Sequence, residues 1–201
     1  MIAGIIVTVV LVVVWLYVLH ILTKSELSFW RFLVGSAGLF VFLMVWIRPL
    51  LTHPLAQVVA AISGIVGQIT GFYDTYFKYG VIFVNTVMGD SMTLVIDFEC
   101  SGILEIFAYL SLLIFFKAYT KLEKLIVGSV GTVLLILFNA LRITIICLMI
   151  HYGGTTMYYV AHTFVGRIVF YVLSVALYFY TFTRTQVIRQ KVGGFKYGHS
   201  S

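Results

Sequence analysis

Cysteine, histidine and arginine together can carry out acyl transfer, and a chain of 201 residues with two cysteines and five histidines offers few such combinations. Cys100, Arg142 and His162 each stand within or at the mouth of a different apolar run. A cysteine sulfur can attack a carbonyl carbon, an imidazole can take the thiol proton and return it to a leaving amine, and a guanidinium can hold the oxyanion formed between those steps. Spacing places the three at one level. At 1.5 Å per residue Arg142 lies about 26 Å from the start of an apolar run opening at Leu125, near the far edge of a roughly 30 Å hydrocarbon core. Cys100 immediately precedes the run Ser101 to Phe116, and His162 is four residues into the run Tyr158 to Thr183. The thiol is expected beside a helix N-terminus, where free N–H groups favour thiolate, whereas Asp97 and Glu99 push the other way.

The elements that must position these groups are helices in a bilayer. Hydrophobic residues make up 62% of the chain and charged ones 10%, too few charges to cover a soluble globule. The net charge of +6 does not form a nucleic-acid surface, because the basic residues fall in short clusters between apolar runs. The expected fold is all-α and polytopic, with five to seven transmembrane helices in one membrane domain over 1–183. Spans are expected at about 2–19, 32–47, 101–116, 125–150 and 158–183, with Pro49 and Pro54 ending the second. The stretch 55–72, rich in glycine and glutamine, reads as interfacial or spanning. Between 73 and 99 lies an extracytoplasmic segment whose period changes to that of a strand, turn and strand over Val81 to Ile96, a small hairpin ahead of the Cys100 helix. Residues 184–201 read as a basic tail.

Counting lysine and arginine orients the chain. Placing Lys24, Arg31, Lys117, Lys121, Lys124 and the tail residues Arg184, Arg189, Lys191 and Lys196 in the cytoplasm accounts for nine of the thirteen. The C-terminus is then cytoplasmic, and Cys100, Arg142 and His162 face the extracytoplasmic side of the cell membrane.

Other polar groups in the spans take supporting roles. Asn139 stands three residues before Arg142, on the same helix face, and with Ser101 and Gly102 is expected to orient the reacting groups. Glu105 is expected to pair with Arg167 inside the bundle, and both are candidates for contact with substrate. Cys147, between Ile146 and Leu148, reads as packing.

These residues also carry a resemblance. Glu99-Cys100-Ser101-Gly102, then Asn139-Ala140-Leu141-Arg142-Ile143, then His162 with Gly166 and Phe170 resemble, in that order, three signature segments of the exosortase and archaeosortase family. The chain is similar in size to a compact branch from Gram-positive bacteria and has Glu99 where a small residue commonly precedes the cysteine. The resemblance implies a multipass cysteine peptidase or transpeptidase with Cys, Arg and His as active residues. It also implies a secreted protein substrate whose C-terminal sorting signal has a short motif, an apolar helix and a basic tail. The acceptor that resolves the acyl-enzyme, whether water, an amine, a lipid or a glycan precursor, is not specified. Partners are then the substrate and membrane lipid, with no nucleic acid, cofactor or metal.

Readings from other classes have less in their favour. A zinc protease would need paired histidines one turn apart with a carboxylate, as in H-E-x-x-H, and the chain has no such spacing. Two disparate cysteines make neither a disulfide framework nor a metal knuckle. Asp74 and Asp90, which an intramembrane aspartyl protease would need, lie in segments read as outside the bilayer. A transporter using Glu105, Arg142 and Arg167, or a scaffold subunit of a secretion or glycan-assembly complex, would have no use for Cys100. Sidedness is tested with single cysteines at Thr155 and Lys191 in a background without the native two. An impermeant maleimide applied to whole cells is expected to label position 155 and spare 191, and the reverse would invert the orientation.

Overall fold

A computed structural model describes residues 2–185. Its elements are α1 (Ile2–Lys24), α2 (Ser28–Phe42), α3 (Arg48–Thr70), strands β1 (Tyr73–Tyr76), β2 (Val81–Asn85) and β3 (Ser91–Val95), then α4 (Ile103–Phe115), α5 (Lys121–Gly153) and α6 (Gly166–Tyr178). Among the described residues, three continuous helical stretches are long and apolar enough to cross a membrane, over 28–70, 121–153 and 155–184. Of the remaining apolar helices, α4 has 13 residues and α1 has 23, of which Thr8–Lys24 have described side chains. The three are fewer than the five to seven expected: the 13 residues of α4 rise only about 20 Å, α1 counts only from Thr8, and the stretch that could have added a sixth crossing is continuous with α2.

That continuity corrects the expectation that proline ends the second span. A π-helical turn over Leu43–Ile47 precedes Pro49, and the N–H of Arg48 donates to Leu43 five residues back. The wider turn changes the hydrogen-bonding register just ahead of the proline, which falls in the first turn of α3, where a missing N–H costs little. Pro54 lies inside α3, and the Thr52 hydroxyl donates to the Arg48 carbonyl at 2.7 Å nearby. Residues 55–70 therefore continue the helix that opens at Ser28, and Gly71 caps it at φ 72°.

The expected hairpin exists with one strand more. The sheet is antiparallel in the order β1-β2-β3, with Thr75 opposite Ile82 and Phe83 opposite Thr93. β1 escaped the sequence reading because Tyr-Asp-Thr-Tyr shows no apolar alternation. It is held by α3: the Tyr73 hydroxyl donates to the Ser63 carbonyl at 2.6 Å, and a Cβ on Gly67 would stand 2.5 Å from the Tyr73 carbonyl oxygen.

Two apolar cores result. One joins the sheet, α3 and the C-terminal half of α5 through Val59, Ile82, Val84, Ile143, Ile146 and Ile150; the other joins α4 to α5 through Ile103, Phe107, Tyr109, Leu113 and Leu135. Far along α4 from Cys100, the basic residues Arg31, Lys117 and Lys124 meet His20 around a cavity of about 390 Å³. Of the expected basic tail, residues 186–201 lie outside the described residues.

Gly67→Val puts side chain against backbone that cannot rotate away. The expected loss, about 1–3 kcal/mol from overpacking, would appear as a lower melting temperature in detergent. Gly35→Ala would meet only the Phe115 ring, which can turn, and should leave the midpoint nearly unchanged.

Candidate active site

Cys100 lies in a turn that links the sheet to α4. The carboxylate of Asp97 accepts the backbone N–H of Cys100 at 3.0 Å, the Ser101 hydroxyl donates to the Phe98 carbonyl at 2.9 Å, and Gly102 closes the turn at φ 76° as the N-cap of α4. That left-handed conformation favours glycine. A Cβ there would also stand 3.3 Å from the Asn139 side chain, so the C-S-G segment meets two local demands at once. The helix begins three residues beyond Cys100, and Gly102 provides no side-chain cap. The expected N-terminal stabilisation of a thiolate is correspondingly weak.

α5 supplies the next two groups from one face. Asn139, fully buried, donates its amide to the Cys100 carbonyl at 2.7 Å. One turn later Arg142, 3% exposed, brings Nη2 to 4.0 Å from Cys100 Sγ, and its guanidinium lies 5.8 Å from the centre of the Phe170 ring. Its Nε is buried and makes no hydrogen bond among the described residues.

His162 comes from a π-helical turn over Val160–Val165 that leads into α6, the kind of irregularity that often marks a functional site. Its Nε2 stands 2.9 Å from Cys100 Sγ, and the ring stacks on Tyr158 with centroids 5.4 Å apart. Gly166 permits the approach, since a Cβ there would come 2.8 Å from Ile146 of α5. The motif H-x-x-x-G thus joins a side chain to the packing that places it.

The structure brings Cys100, Arg142, His162 and Asn139 together. It does not bring Glu105 to Arg167: Arg167 reaches Glu99 at 3.5 Å, and both are substantially exposed. Glu105 is left with a buried carboxylate oxygen that makes no hydrogen bond among the described residues. Cys147 is fully buried in the sheet-side core. Two supports were not assigned from sequence. Asp97, three residues before Cys100, has the spacing of an Asx turn, and Tyr158, four residues before His162, lies on the same helix face.

Burial pushes the Cys100 thiol up to about 11; Arg142 pulls it down, while the Asp97 and Glu99 carboxylates push it up. At neutral pH the resting sulfur is therefore a protonated thiol. With its proton on Nδ1, His162 can accept the thiol proton at Nε2 as the sulfur attacks.

The family model described as transmembrane exosortase (Exosortase_EpsH) matches residues 2–180, and the chain belongs to that family. Neither the comparison with curated proteins nor that with solved structures finds a match.

The thiol position predicts a pH profile. Alkylation of Cys100 by iodoacetamide should climb steadily from pH 7 to beyond pH 9, without the low-pH plateau of a preformed thiolate. Asp97→Asn removes a charge that raises the thiol and should speed alkylation at pH 8. Arg142→Gln removes one that lowers it and should slow the reaction. A plateau between pH 6 and 8 would contradict the protonated thiol.

Proposed function

We propose that this multi-pass member of the transmembrane exosortase family is a cysteine peptidase and transpeptidase that processes exported proteins bearing a C-terminal sorting signal. The observation that carries the reading is the 2.9 Å approach of His162 Nε2 to Cys100 Sγ with Arg142 Nη2 4.0 Å from the same sulfur. Cys100 Sγ attacks the scissile carbonyl carbon as its proton passes to His162 Nε2. The carbonyl oxygen becomes an oxyanion beside the Arg142 guanidinium. The C–N bond then breaks, and the amine leaves with the proton from His162. The thioester is resolved when an acceptor gives its proton to His162 and attacks the acyl carbon; the C–S bond breaks, and the Cys100 sulfur leaves with that proton, which restores the thiol.

Arg142 suits the oxyanion role for two reasons. The backbone N–H of the nucleophile, a frequent oxyanion donor, is already engaged by Asp97. Arg142 Nη2 stands 4.0 Å from Cys100 Sγ, which sets a fixed positive charge beside the carbon where negative charge develops as the sulfur attacks. Asn139 and Asp97 fix the backbone on either side of the sulfur. Arg167 and Glu99, paired at the surface, are candidates for contact with the substrate, while buried Glu105 stays within the bundle. By the count of basic residues the site faces the extracytoplasmic side, and the cluster of His20, Arg31, Lys117 and Lys124 at the opposite end agrees with that orientation.

Cys100→Ala should abolish processing of a cognate secreted protein while the variant still accumulates in the membrane, and Cys147→Ala should be nearly silent. Arg142→Lys cannot reproduce the guanidinium fork and should cost about 2.7–4 kcal/mol in the barrier, roughly 100- to 1,000-fold in rate. Pulse-chase of substrate cleavage at matched membrane levels reads each effect. Ordinary activity in Cys100→Ala would end the peptidase reading, and a lysine variant within about threefold of wild type would remove Arg142 from the reaction.

A further inference from the structure

The sheet has two edges, and they differ. β1 is covered by α3 through Tyr73 and the close approach at Gly67. β3 is the other edge, and its outer side has no partner strand among the described residues. Natural proteins blunt such edges with charge, proline or a covering segment, yet Ser-Met-Thr-Leu-Val carries neither charge nor proline.

The register shows which groups are open. Ile96 N–H donates to the Gly80 carbonyl at 2.9 Å and Thr86 N–H to the Asp90 carbonyl at 2.8 Å, so Gly80/Ile96 and Thr86/Asp90 belong to the hydrogen-bonded set of opposed pairs. Antiparallel pairing alternates, which assigns Ile82/Leu94 and Val84/Met92 to the same set and leaves Phe83/Thr93 and Val81/Val95 as the pairs that do not bond each other. The N–H and C=O groups of Thr93 and Val95 therefore point outward from the free edge.

That edge borders the catalytic thiol. A cavity of about 150 Å³ is lined by five consecutive residues, Met92 to Ile96, together with Cys100, His162 and Ile143 among others. Side chains of a strand alternate between faces. A cavity that touches five in a row meets the strand along its backbone edge. Its apolar wall is made by Ile82, Leu94, Ile143 and Ile146, and about 150 Å³ is the size at which an apolar cavity admits a benzene ring.

We propose that the polypeptide substrate binds by strand addition: an extended segment pairs with the outward groups of Thr93 and Val95, seats one apolar side chain in this cavity, and so brings its scissile carbonyl to Cys100. This rests on the peptidase reading and adds how the substrate is held. Main-chain bonds supply sequence-tolerant affinity and the cavity supplies selectivity at one position, the division that strand-addition sites use. A backbone held on two sides of the reacting carbonyl is also the positioning that acyl transfer needs.

The probe is a mixture of tripeptidyl chloromethyl ketones varied over apolar and small residues, compared with its backbone N-methylated twin and with iodoacetamide, on the full-length protein in detergent. In wild type the parent mixture should label Cys100 about tenfold faster than the twin, and its fastest members should carry an apolar residue at one fixed position. Thr93→Pro removes an outward N–H without touching the ladder to β2. It should bring parent and twin together while iodoacetamide labelling stays within about twofold, which also reports an intact fold. Leu94→Trp, which fills the cavity, should erase the apolar preference. Equal labelling by parent and twin in wild type would overturn strand addition, as would an unchanged parent-to-twin ratio in Thr93→Pro. Failure of the peptidase reading appears separately, as full processing activity in Cys100→Ala.

Discussion

Everything at this site depends on one face of one helix. Asn139, Arg142, Ile143, Ile146 and Ile150 recur along α5 at intervals of one, three and four residues and so form a single stripe. The first grips the Cys100 carbonyl, the second stands beside its sulfur, and the isoleucines receive the sheet and the turn that carries His162. A buried amide and a buried guanidinium are costly in apolar surroundings unless their partners are fixed. Asn139 meets that condition on its donor side, through a 2.7 Å bond to backbone, while its side-chain oxygen is buried without a hydrogen bond among the described residues. Arg142 meets it in part, through the sulfur and the Phe170 ring, and retains an unengaged donor.

Around that stripe the two cores divide the work. The α4–α5 core sets how far the Cys100 turn stands from the basic end, and the sheet-side core sets what lies above it. Asn139 and Arg142 lie about 27 and 32 Å along α5 from Lys121 by helical rise, which is the thickness of a hydrocarbon core. Asn139, Arg142 and the Cys100 turn therefore sit where the apolar bundle gives way to the sheet, and the long α3 and α5 continue past that level to support the strands. A site on packed helices holds its geometry better than one on loops. The loop that carries Cys100, 96–102, is itself tied at Asp97, Ser101 and the Cys100 carbonyl.

What the sequence made legible follows from which signals are local. Apolar runs, the basic clusters and the strand–turn–strand pattern depend on neighbours in the chain, and they placed the helices, the β2–β3 hairpin and the shared level of Cys100, Arg142 and His162. The misses depend on relations between distant segments. Pro49 and Pro54 read as breaks because a π-helical turn is invisible in composition. β1 lacks alternation of its own and is a strand because Gly64 and Gly67 of α3 let it approach. Arg167 had two carboxylates to choose from, and helical spacing alone could not show that the turn at 96–102 carries Glu99 toward it and leaves Glu105 buried. The run Ser101 to Phe116 read as a span, but the Cys100 turn takes its first residues and α4 keeps only 13.

The electrostatics of the proposed reaction fit its place in the fold. A preformed thiolate and imidazolium would hold two charges at the margin of an apolar bundle, and burial opposes that by keeping the thiol protonated to about 11. Charge then arises only during reaction, first on sulfur and then on the carbonyl oxygen. Both positions lie within reach of one guanidinium, so negative charge can move from one atom to the next beside a fixed positive partner. The Asp97 and Glu99 carboxylates, which raise the thiol in the resting state, are the groups that would offset an imidazolium once the proton has moved. The same carboxylates oppose negative charge on sulfur and on the carbonyl oxygen alike, so in the proposed reaction that charge depends on the Arg142 guanidinium beside it, which ties attack to that fixed positive partner of the site.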